Sequence, residues 1–578
     1  MIIMSKKSIG KLKDGQKVQG AEIVCECLFR QGIRVIFGYP GGANIPIYDA
    51  LYKYPEIHHV LVRHEQGAAH AAEGYAWATG KPGVCFATSG PGATNLVTGI
   101  ADAMMDSIPM VCITGQVPSS LIGTDAFQEA DVLGITLPIT KHNYLITRTE
   151  DITECLTEAF YLSTHGRPGP VLVDIAKDAQ ASYAQFNYPK SINYQKKIKL
   201  RATNRELEQI ADLLNSAEKP LIVAGHGLLL SGDGQTLLKI AERQDIPVTL
   251  TQLALSTIPS SHRLFMGMPG MHGNVAANRA PNQADVLLAV GMRFHDRVTS
   301  NVAGYAPQAK IIHIDIDPSE IGKNVKPFLG VVGDAKTVLT QILPELIKKK
   351  NPNWLAQFQK WKKIEKEKVY DKELNSPKLK SAQVVHEIAR QSKGLATIVA
   401  DVGQNQMYAA RYSNFLSYNS HFTSGGLGTM GFALPAGMGA KYADPKREVW
   451  IVIGDGGIQM TLQELATIVQ ENIAVKIALL NNNFLGMVRQ WQELFYKGNY
   501  SEVSLKNPNF QKLCEGFGIP SLKTTTLSEA KKAIAKARMV KGPFLVEFLV
   551  EAEENVFPMI PAGAGIDDMV ICKEEMKL

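Results

Sequence analysis

Two apolar runs, each ending in a cluster of small polar residues, constrain this chain more than anything else in it. Val449-Trp-Ile-Val-Ile stops at Gly454-Asp455-Gly456, and Ala474-Val-Lys-Ile-Ala-Leu-Leu stops at Asn481-Asn482-Asn483. Between them Thr461-x-x-Glu464 opens a helical pattern and fits a capping box. The pattern predicts one βαβ unit with parallel strands. Its polar groups then gather at the carboxyl ends of the strands, where open α/β sheets place their ligands. A carboxylate at Asp455 and a side-chain amide at Asn482 are hard oxygen donors of the kind Mg²⁺ takes, often while bridging to phosphate. Gly454 and Gly456 let a diphosphate approach the backbone closely. A tight turn with an aspartate cap is the plainer reading of Gly-Asp-Gly, and the rest of the chain weighs against it.

Apolar runs alternate with helical patterns through three blocks. This assigns the chain to the α/β class, with three doubly wound domains of mostly parallel sheet. A length of 578 residues agrees, since it allows about three or four domains of about 150 residues each. The first block is 19–183, with strands expected at Val35–Phe37, Ile57–Val62, Gly83–Ala87 and Pro109–Thr114 and helices over Gln66–Thr79 and Thr94–Met105. A polar linker, 184–200, leads to the second block, 201–347, with strands expected at Leu221–Ala224, Pro247–Leu250, Val286–Val290 and Lys310–Asp315. A charged, lysine-rich connector at 348–380, partly helical, carries Trp354 and Trp361. The third block, 381–557, holds the Gly-Asp-Gly unit, and a Pro/Gly-bearing tail, 558–578, closes the chain.

The net charge of +6 is modest, and the lysines concentrate near the N-terminus and along the connector rather than on one basic face with interleaved aromatics. Nucleic-acid binding is therefore not expected. No apolar run reaches the roughly 18 residues of a membrane span. Seven scattered cysteines lack zinc-finger spacing and suit a reducing compartment. Cys85 and Cys112 fall inside apolar strands and are expected to be buried thiols. The N-terminus has neither an apolar secretory core nor an Arg-rich presequence, so a cytoplasmic location is expected.

The Gly-Asp-Gly and asparagine spacing resembles the diphosphate motif of thiamine-diphosphate (ThDP) enzymes. ThDP chemistry needs a carboxylic group against the aminopyrimidine ring, where it favours the imino tautomer that deprotonates the thiazolium; the cofactor supplies the carbanion chemistry. Arg63-His64-Glu65-Gln66-Gly67-Ala68 places Glu65 at a strand end and helix start, a position where burial favours sharing a proton. Alone, Glu65 reads equally well as an acid at a helix start. Glu65 and Asp455 lie in separate blocks yet must reach one small molecule, either by folding back within the chain or across a dimer.

Further motifs show that the chain resembles the catalytic large subunit of the acetolactate synthase (acetohydroxyacid synthase) family over nearly its whole length. They are Phe37-Gly-Tyr-Pro-Gly-Gly-Ala43, Arg63–Ala68, Thr88-Ser-Gly-Pro-Gly-Ala-Thr-Asn95, Asp125-Ala-Phe-Gln-Glu129 and Gly169-Pro-Val-Leu-Val-Asp174. Later come Gly291-Met-Arg-Phe-His-Asp-Arg-Val-Thr299, Gly425-Gly-Leu-Gly-Thr-Met-Gly431 and Gly486-Met-Val-Arg-Gln-Trp-Gln492. The runs around Arg293 and Trp491 are the more specific; Gly-Asp-Gly marks only the superfamily.

The resemblance implies ThDP, Mg²⁺ and FAD as cofactors and three domains of the ThDP-decarboxylase type: pyrimidine-binding, FAD-binding-like and diphosphate/Mg-binding. It implies Glu65 as the proton relay, Gly42 near the reactive centre, and Phe127, Gln128 and Lys177 along the substrate channel. Gln404 and Gln406 would meet the diphosphate beside Gly454 and Gly456, and Met430 would wedge the cofactor into its bent shape. Asp455, Asn482 and the Phe484 carbonyl would hold Mg²⁺. Arg167, His272, Arg293, Asp315 and Asp334 would contact FAD, while Arg297, Met487 and Trp491 would meet the second substrate. The implied reaction is decarboxylating carboligation. Pyruvate loses CO₂, and the remaining two carbons join a second pyruvate or 2-ketobutyrate, giving 2-acetolactate or 2-aceto-2-hydroxybutyrate for valine, leucine and isoleucine. A homodimer or homotetramer and a small regulatory subunit are implied as partners.

Three positions depart from the family pattern: Asn405 replaces a common His, Pro269 a common Leu, and His295 a common Asp. Asn405 can still donate to a phosphate but cannot titrate. Pyruvate oxidase and 2-keto acid decarboxylases are the alternatives within the superfamily. The His58-His59 pair is read as structural, because neighbours on a strand point to opposite faces. A non-catalytic scaffold would have lost Glu65 or Asp455, and both are present.

Overall fold

Three open sheets, every strand pair in them parallel, organise the computed structural model, which describes residues 10–189 and 201–576. The first sheet runs His58–Leu61, Val35–Gly38, Gly83–Ala87, Met110–Gln116, Pro170–Ala176, His142–Ile146. The second runs Val248–Leu250, Pro220–Ala224, Val286–Val290, Lys310–Asp315, Leu329–Val332. The third runs His421–Thr423, Thr397–Ala400, Val449–Gly454, Lys476–Asn481, Phe544–Leu549, Ser521–Thr524. A short antiparallel pair, Lys17–Gln19 with Tyr183–Gln185, closes the first domain. The polar linker lies outside the described residues from 190 onward.

Central strands such as Gly83–Ala87, Val286–Val290 and Lys476–Asn481 are buried along their whole length. Strands covered on both faces read as continuous apolar runs, which is why these segments stood out in the sequence. In each sheet the chain runs from a central strand to one neighbour and then crosses to the other side. The reversals fall between Val35–Gly38 and Gly83–Ala87, between Pro220–Ala224 and Val286–Val290, and between Thr397–Ala400 and Val449–Gly454. Such switch points leave a crevice at the carboxyl ends of the two strands.

The first and third domains share one apolar core that joins Phe37, Val60 and Leu96 to Phe432, Ile451 and Leu479. Helix Glu65–Thr79 lies against helix Ala433–Ala443, and both are rich in Ala and Gly. A Cβ on Gly74 would strike the Ala436 carbonyl, and one on Gly439 the Ala71 carbonyl. The backbones therefore touch directly, and a side chain at either glycine would push the domains apart.

The structure corrects the reading of Thr461-x-x-Glu464. Thr461 ends helix Asp455–Thr461 and donates to the Gly431 carbonyl at 2.9 Å, while Glu464 starts the next helix. The Glu464 carboxylate accepts from the Arg63 N–H of the first domain at 3.0 Å. Partners distant in sequence, one in the same domain and one in the first, claim both side chains that a capping box would have used.

The connector is more than a charged spacer. Helix Pro352–Glu365 buries Trp354, Phe358 and Trp361, and the Trp354 indole donates to the Pro220 carbonyl at 2.9 Å. Its last residue, Glu365, pairs with the buried Arg411 at 2.8 Å. The tail is likewise packed, with Ile560, Ile566 and Ile571 buried against the second domain.

Cys85 and Cys112 are buried free thiols 3.4 Å apart. His58 and His59 do face apart: His58 meets Glu471 at 2.9 Å, and His59 meets the Tyr48 hydroxyl at 2.9 Å. Among the described residues no helix is long and apolar enough to cross a membrane.

Candidate active site

At the third sheet's switch point, Gly454 ends its strand and Asp455 begins a helix. Burial pushes the Asp455 carboxyl up to about 6. Among the described residues no Lys, Arg or His pairs with it; its side-chain partner is the Asn507 amide, which donates to Oδ2 at 2.6 Å. Asn482 Oδ1 accepts from the Phe484 N–H at 3.1 Å, and Asn482 Nδ2 reaches Gln404 Oε1 at 3.4 Å. A buried carboxylate with no basic partner, at the end of the strand paired with the one that leads into Asn482 and Phe484, offers with them oxygen donors of the kind Mg²⁺ takes.

Gln404 and Gln406 are buried here, but their amides are already engaged. Gln404 Nε2 donates to Gln490 Oε1 at 2.9 Å and to the Glu554 carbonyl at 2.7 Å; Gln406 Nε2 donates to Thr423 Oγ1 at 2.8 Å and to the Ser424 carbonyl at 2.9 Å. Helix Gln404–Tyr412 has no side-chain cap, which leaves its first backbone N–H groups as the donors a phosphate would meet. The Asn405 side-chain amide is engaged as well. Its Nδ2 donates to the Asp401 carbonyl at 2.6 Å and the Val452 carbonyl at 3.3 Å, pairing buried oxygens from the two switch-point strands.

Met430 lies in the glycine loop Gly425–Gly431, which buried acids hold from behind. The Asp106 carboxylate accepts from the Gly425 and Gly426 N–H groups at 2.7 and 2.8 Å. Ser424 Oγ donates to Asp102 at 2.6 Å and accepts from the Thr429 N–H at 2.8 Å. Asp401 accepts from the N–H groups of Gly431 and Ala433 at 3.1 and 3.2 Å. Behind these, His70 bonds Glu73 at 2.6 Å.

In the first domain, Glu65 is buried at the start of its helix, and Asn95 Nδ2 donates to its Oε2 at 2.9 Å. Gly42 is exposed, with open space where a Cβ would lie. Phe127 is 88% exposed, a cost that an apolar ring on a monomer surface leaves unexplained. Gln128 beside it has a left-handed backbone with φ of 60°, and Lys177 is exposed at a helix start. Among the described residues no hydrogen bond or ion pair joins Glu65 to Asp455 or Asn482.

A cavity of about 970 Å³ opens between the domains. It brings together Arg167, His272, Arg293, Asp315 and Asp334 with Arg297, Gln406, Met430, Met487 and Trp491. Gly225, Gly227 and Gly291 line it at the second sheet's switch point. Arg167 is held by Glu320 at 2.8 Å and by Ser107 Oγ at 2.9 Å. Burial, then the neighbouring Arg167, lowers the Arg293 guanidinium from its ordinary value. Burial lowers His272 to about 4, with Arg411 adding to it, and raises Asp315 to about 6. Asp334 caps the next helix by accepting from the Thr337 N–H at 2.8 Å.

The volume, the glycine-lined crevice and three guanidinium groups suit a dinucleotide such as FAD. Of the two departures here, His295 Nδ1 accepts from the Arg297 N–H at 3.3 Å, a capping role that Asp would also fill. Around Pro269, the Met268 and Gly270 N–H groups are held by Asn274 at 2.8 Å and Asn278 at 2.7 Å, so the turn does not depend on an N–H at that position.

Sequence reasoning missed Asn95, Asp102, Asp106, Asp401 and Asn507. Asn95 closes one of the family motifs, and Asp102 and Asp106 carried a signal because acids four apart in an apolar helix share one face.

Switch-point crevices in all three sheets and the donor cluster at Asp455 describe a thiamine-diphosphate enzyme. Residues 18–135 match the N-terminal TPP binding domain of thiamine pyrophosphate enzymes, 207–342 their central domain, and 401–548 their C-terminal TPP binding domain. The chain is 46% identical over 577 residues to the acetolactate synthase large subunit of Corynebacterium glutamicum, covering 97% of this chain and 91% of that one. It is 45% identical to the acetolactate synthase large subunit of Lactococcus lactis subsp. lactis, covering 97% of each, and 42% identical to that of Haemophilus influenzae, covering 97% and 99%. The chain belongs to the acetolactate synthase large-subunit family.

Proposed function

We propose that this chain carries out the acetolactate synthase reaction, joining a two-carbon unit from pyruvate to a second pyruvate or to 2-ketobutyrate. The observation that carries this reading is the central cavity, where Met430, Met487 and Trp491 meet Arg293 and Arg297. The chemistry ThDP supplies when bound is a carbon nucleophile that decarboxylates one 2-keto acid and transfers the remainder to another.

The chain's own residues bind, orient and move protons. Asp455, Asn482 and the Phe484 carbonyl would hold Mg²⁺, and the first turn of helix Gln404–Tyr412, with Gly454 and Gly456, would receive the diphosphate. Asn95 occupies Glu65 Oε2, which leaves Oε1 to share a proton with the aminopyrimidine. Gly42, Phe127 and Lys177 are exposed and Gln128 is half-buried, which supports a homodimer as the minimal catalytic unit. One subunit's first domain faces its partner's third, and pairing of two dimers gives a tetramer. Arg167, His272, Arg293, Asp315 and Asp334, which line the cavity, would hold FAD, and the reaction would not consume it. A small regulatory subunit is the further partner, as the relatives are named large subunits.

Incubation with pyruvate, ThDP and Mg²⁺ followed by acid should give acetoin by the colorimetric test, with no electron acceptor needed. Oxygen uptake matching pyruvate loss would overturn the reading in favour of pyruvate oxidase.

Trp491 sets the choice of acceptor. It is half-buried, lines the cavity beside Met487 and Val488, and rests on Phe495 at 5.0 Å between ring centres. Its indole offers an apolar wall for the extra methyl of 2-ketobutyrate, and Arg297 or Lys177 meets the carboxylate. One methylene is worth about 1–3 kcal/mol, or about 10–200-fold. The wild type should prefer 2-ketobutyrate, and Trp491→Leu should lose much of that preference while still forming acetolactate. Competition between the two acceptors checks this; an unchanged product ratio removes Trp491 from the specificity site.

A further inference from the structure

We infer that Asn507 is a positioning residue of the metal site, aiming the Asp455 carboxylate at the cation. This rests on the Mg²⁺ reading above. The Asn507 amide is where the polar groups of this strand-end cluster converge. Its Nδ2 lies 2.6 Å from Asp455 Oδ2, 3.1 Å from Asn481 Oδ1 and 3.2 Å from Asn483 Oδ1. Two of the three consecutive asparagines thus serve Asn507, which leaves Asn482 between them for the metal.

The orientation of the Asn507 amide is fixed. Gln459 Nε2 lies 2.9 Å from the Asp455 backbone carbonyl, which can only accept, so this nitrogen is a donor. The same Nε2 is 3.0 Å from Asn507 Oδ1, which makes that atom the acceptor and turns Nδ2 toward Asp455. A closed ring results: the Asp455 carbonyl holds Gln459, Gln459 holds Asn507, and Asn507 holds Asp455 Oδ2. Holding Oδ2 in this way sets the rotation of the whole carboxylate.

The backbone of the Asn507 segment is tied to the metal loop as well. The Leu485 N–H donates to the Val503 carbonyl at 2.8 Å, and the Leu505 N–H to the Asn483 carbonyl at 2.8 Å. Groups that orient a ligand in this way are commonly worth about 10–100-fold in metal affinity.

The test titrates Mn²⁺ into the full-length protein with saturating ThDP, reading bound metal by electron paramagnetic resonance and apo-protein stability by its melting midpoint. Asn507→Ala should weaken Mn²⁺ binding by about 10–100-fold and alter the spectrum of bound Mn²⁺, with the apo midpoint little changed. Gln459→Ala, which frees the amide to rotate but leaves it in place, should give a smaller loss of the same kind. Wild-type affinity and spectrum in both variants overturn the inference. If the wild type itself binds no Mn²⁺ with ThDP present, the metal-site reading falls. If Asn507→Ala loses its fold, Gln459→Ala alone decides, and an unchanged affinity there counts against the inference.

Discussion

Glu65→Gln should lose about 10²–10⁴-fold in turnover on pyruvate, the range a positioned acid–base group contributes, while cofactor binding stays close to that of the wild type. The amide has the shape of the acid, and its carbonyl oxygen can still accept from Asn95 Nδ2, which lies 2.9 Å from Oε2. What it cannot do is give up and retake a proton at Oε1. Glu65 is buried, and the neighbouring His64 serves as the helix cap, its Nδ1 accepting from the Gln66 N–H at 3.1 Å. Turnover at saturating ThDP, set beside a ThDP binding titration, checks the split. Near-wild-type turnover would remove Glu65 from the proton path.

Asp455→Ala should act on affinity rather than on the chemical step. Asp455 is the only carboxylate in a donor set otherwise made of the Asn482 amide and the Phe484 carbonyl. Its loss should therefore exceed the roughly 10–100-fold typical of groups that merely orient a ligand. Raising Mg²⁺ and ThDP together should recover part of the activity by mass action. The apo protein should not be destabilised, since a buried carboxylate without a cation disappears and Asn507 keeps Asn481 and Asn483 as acceptors. Unchanged cofactor affinity would show that the metal sits elsewhere.

The contrast between these positions and Asn507 shows what a sequence of this kind exposes. Strands buried on both faces declared themselves as apolar runs, and the polar residues that end them marked the switch points. Val286–Val290 and Lys310–Asp315 came out at their observed bounds for that reason. Helix Pro352–Glu365 did not, because its buried Trp354, Phe358 and Trp361 are embedded among lysines that describe its outer face.

Residues read as cofactor contacts carried a motif and a spacing, whereas those that act through another residue were hidden. Asn507 lies in the polar stretch Ser501–Asn509, and only folding brings it to Asp455. Thr461 and Glu464 failed in the opposite sense. Their spacing suits a local cap, but Gly431 and Arg63, far away in sequence, outcompete it.

The acids behind the glycine loop carry a consequence for folding. Glu73, Asp102, Asp106 and Asp401 meet at the junction of the first and third domains, and burial raises all four carboxyls, Asp106 and Asp401 to about 6. Arg293 opposes the shift of Asp106 only partly. An acid whose folded value exceeds its unfolded one binds a proton as the chain folds, so its contribution is fullest in acid and drains away as pH rises from about 4 through about 6. His70, lowered by burial, works the other way and penalises the junction as pH falls below its ordinary range. Four carboxyls against one imidazole leave net proton uptake. Docking of the first and third domains should therefore take up protons, and a melting midpoint that falls as pH rises through about 6 would be its sign.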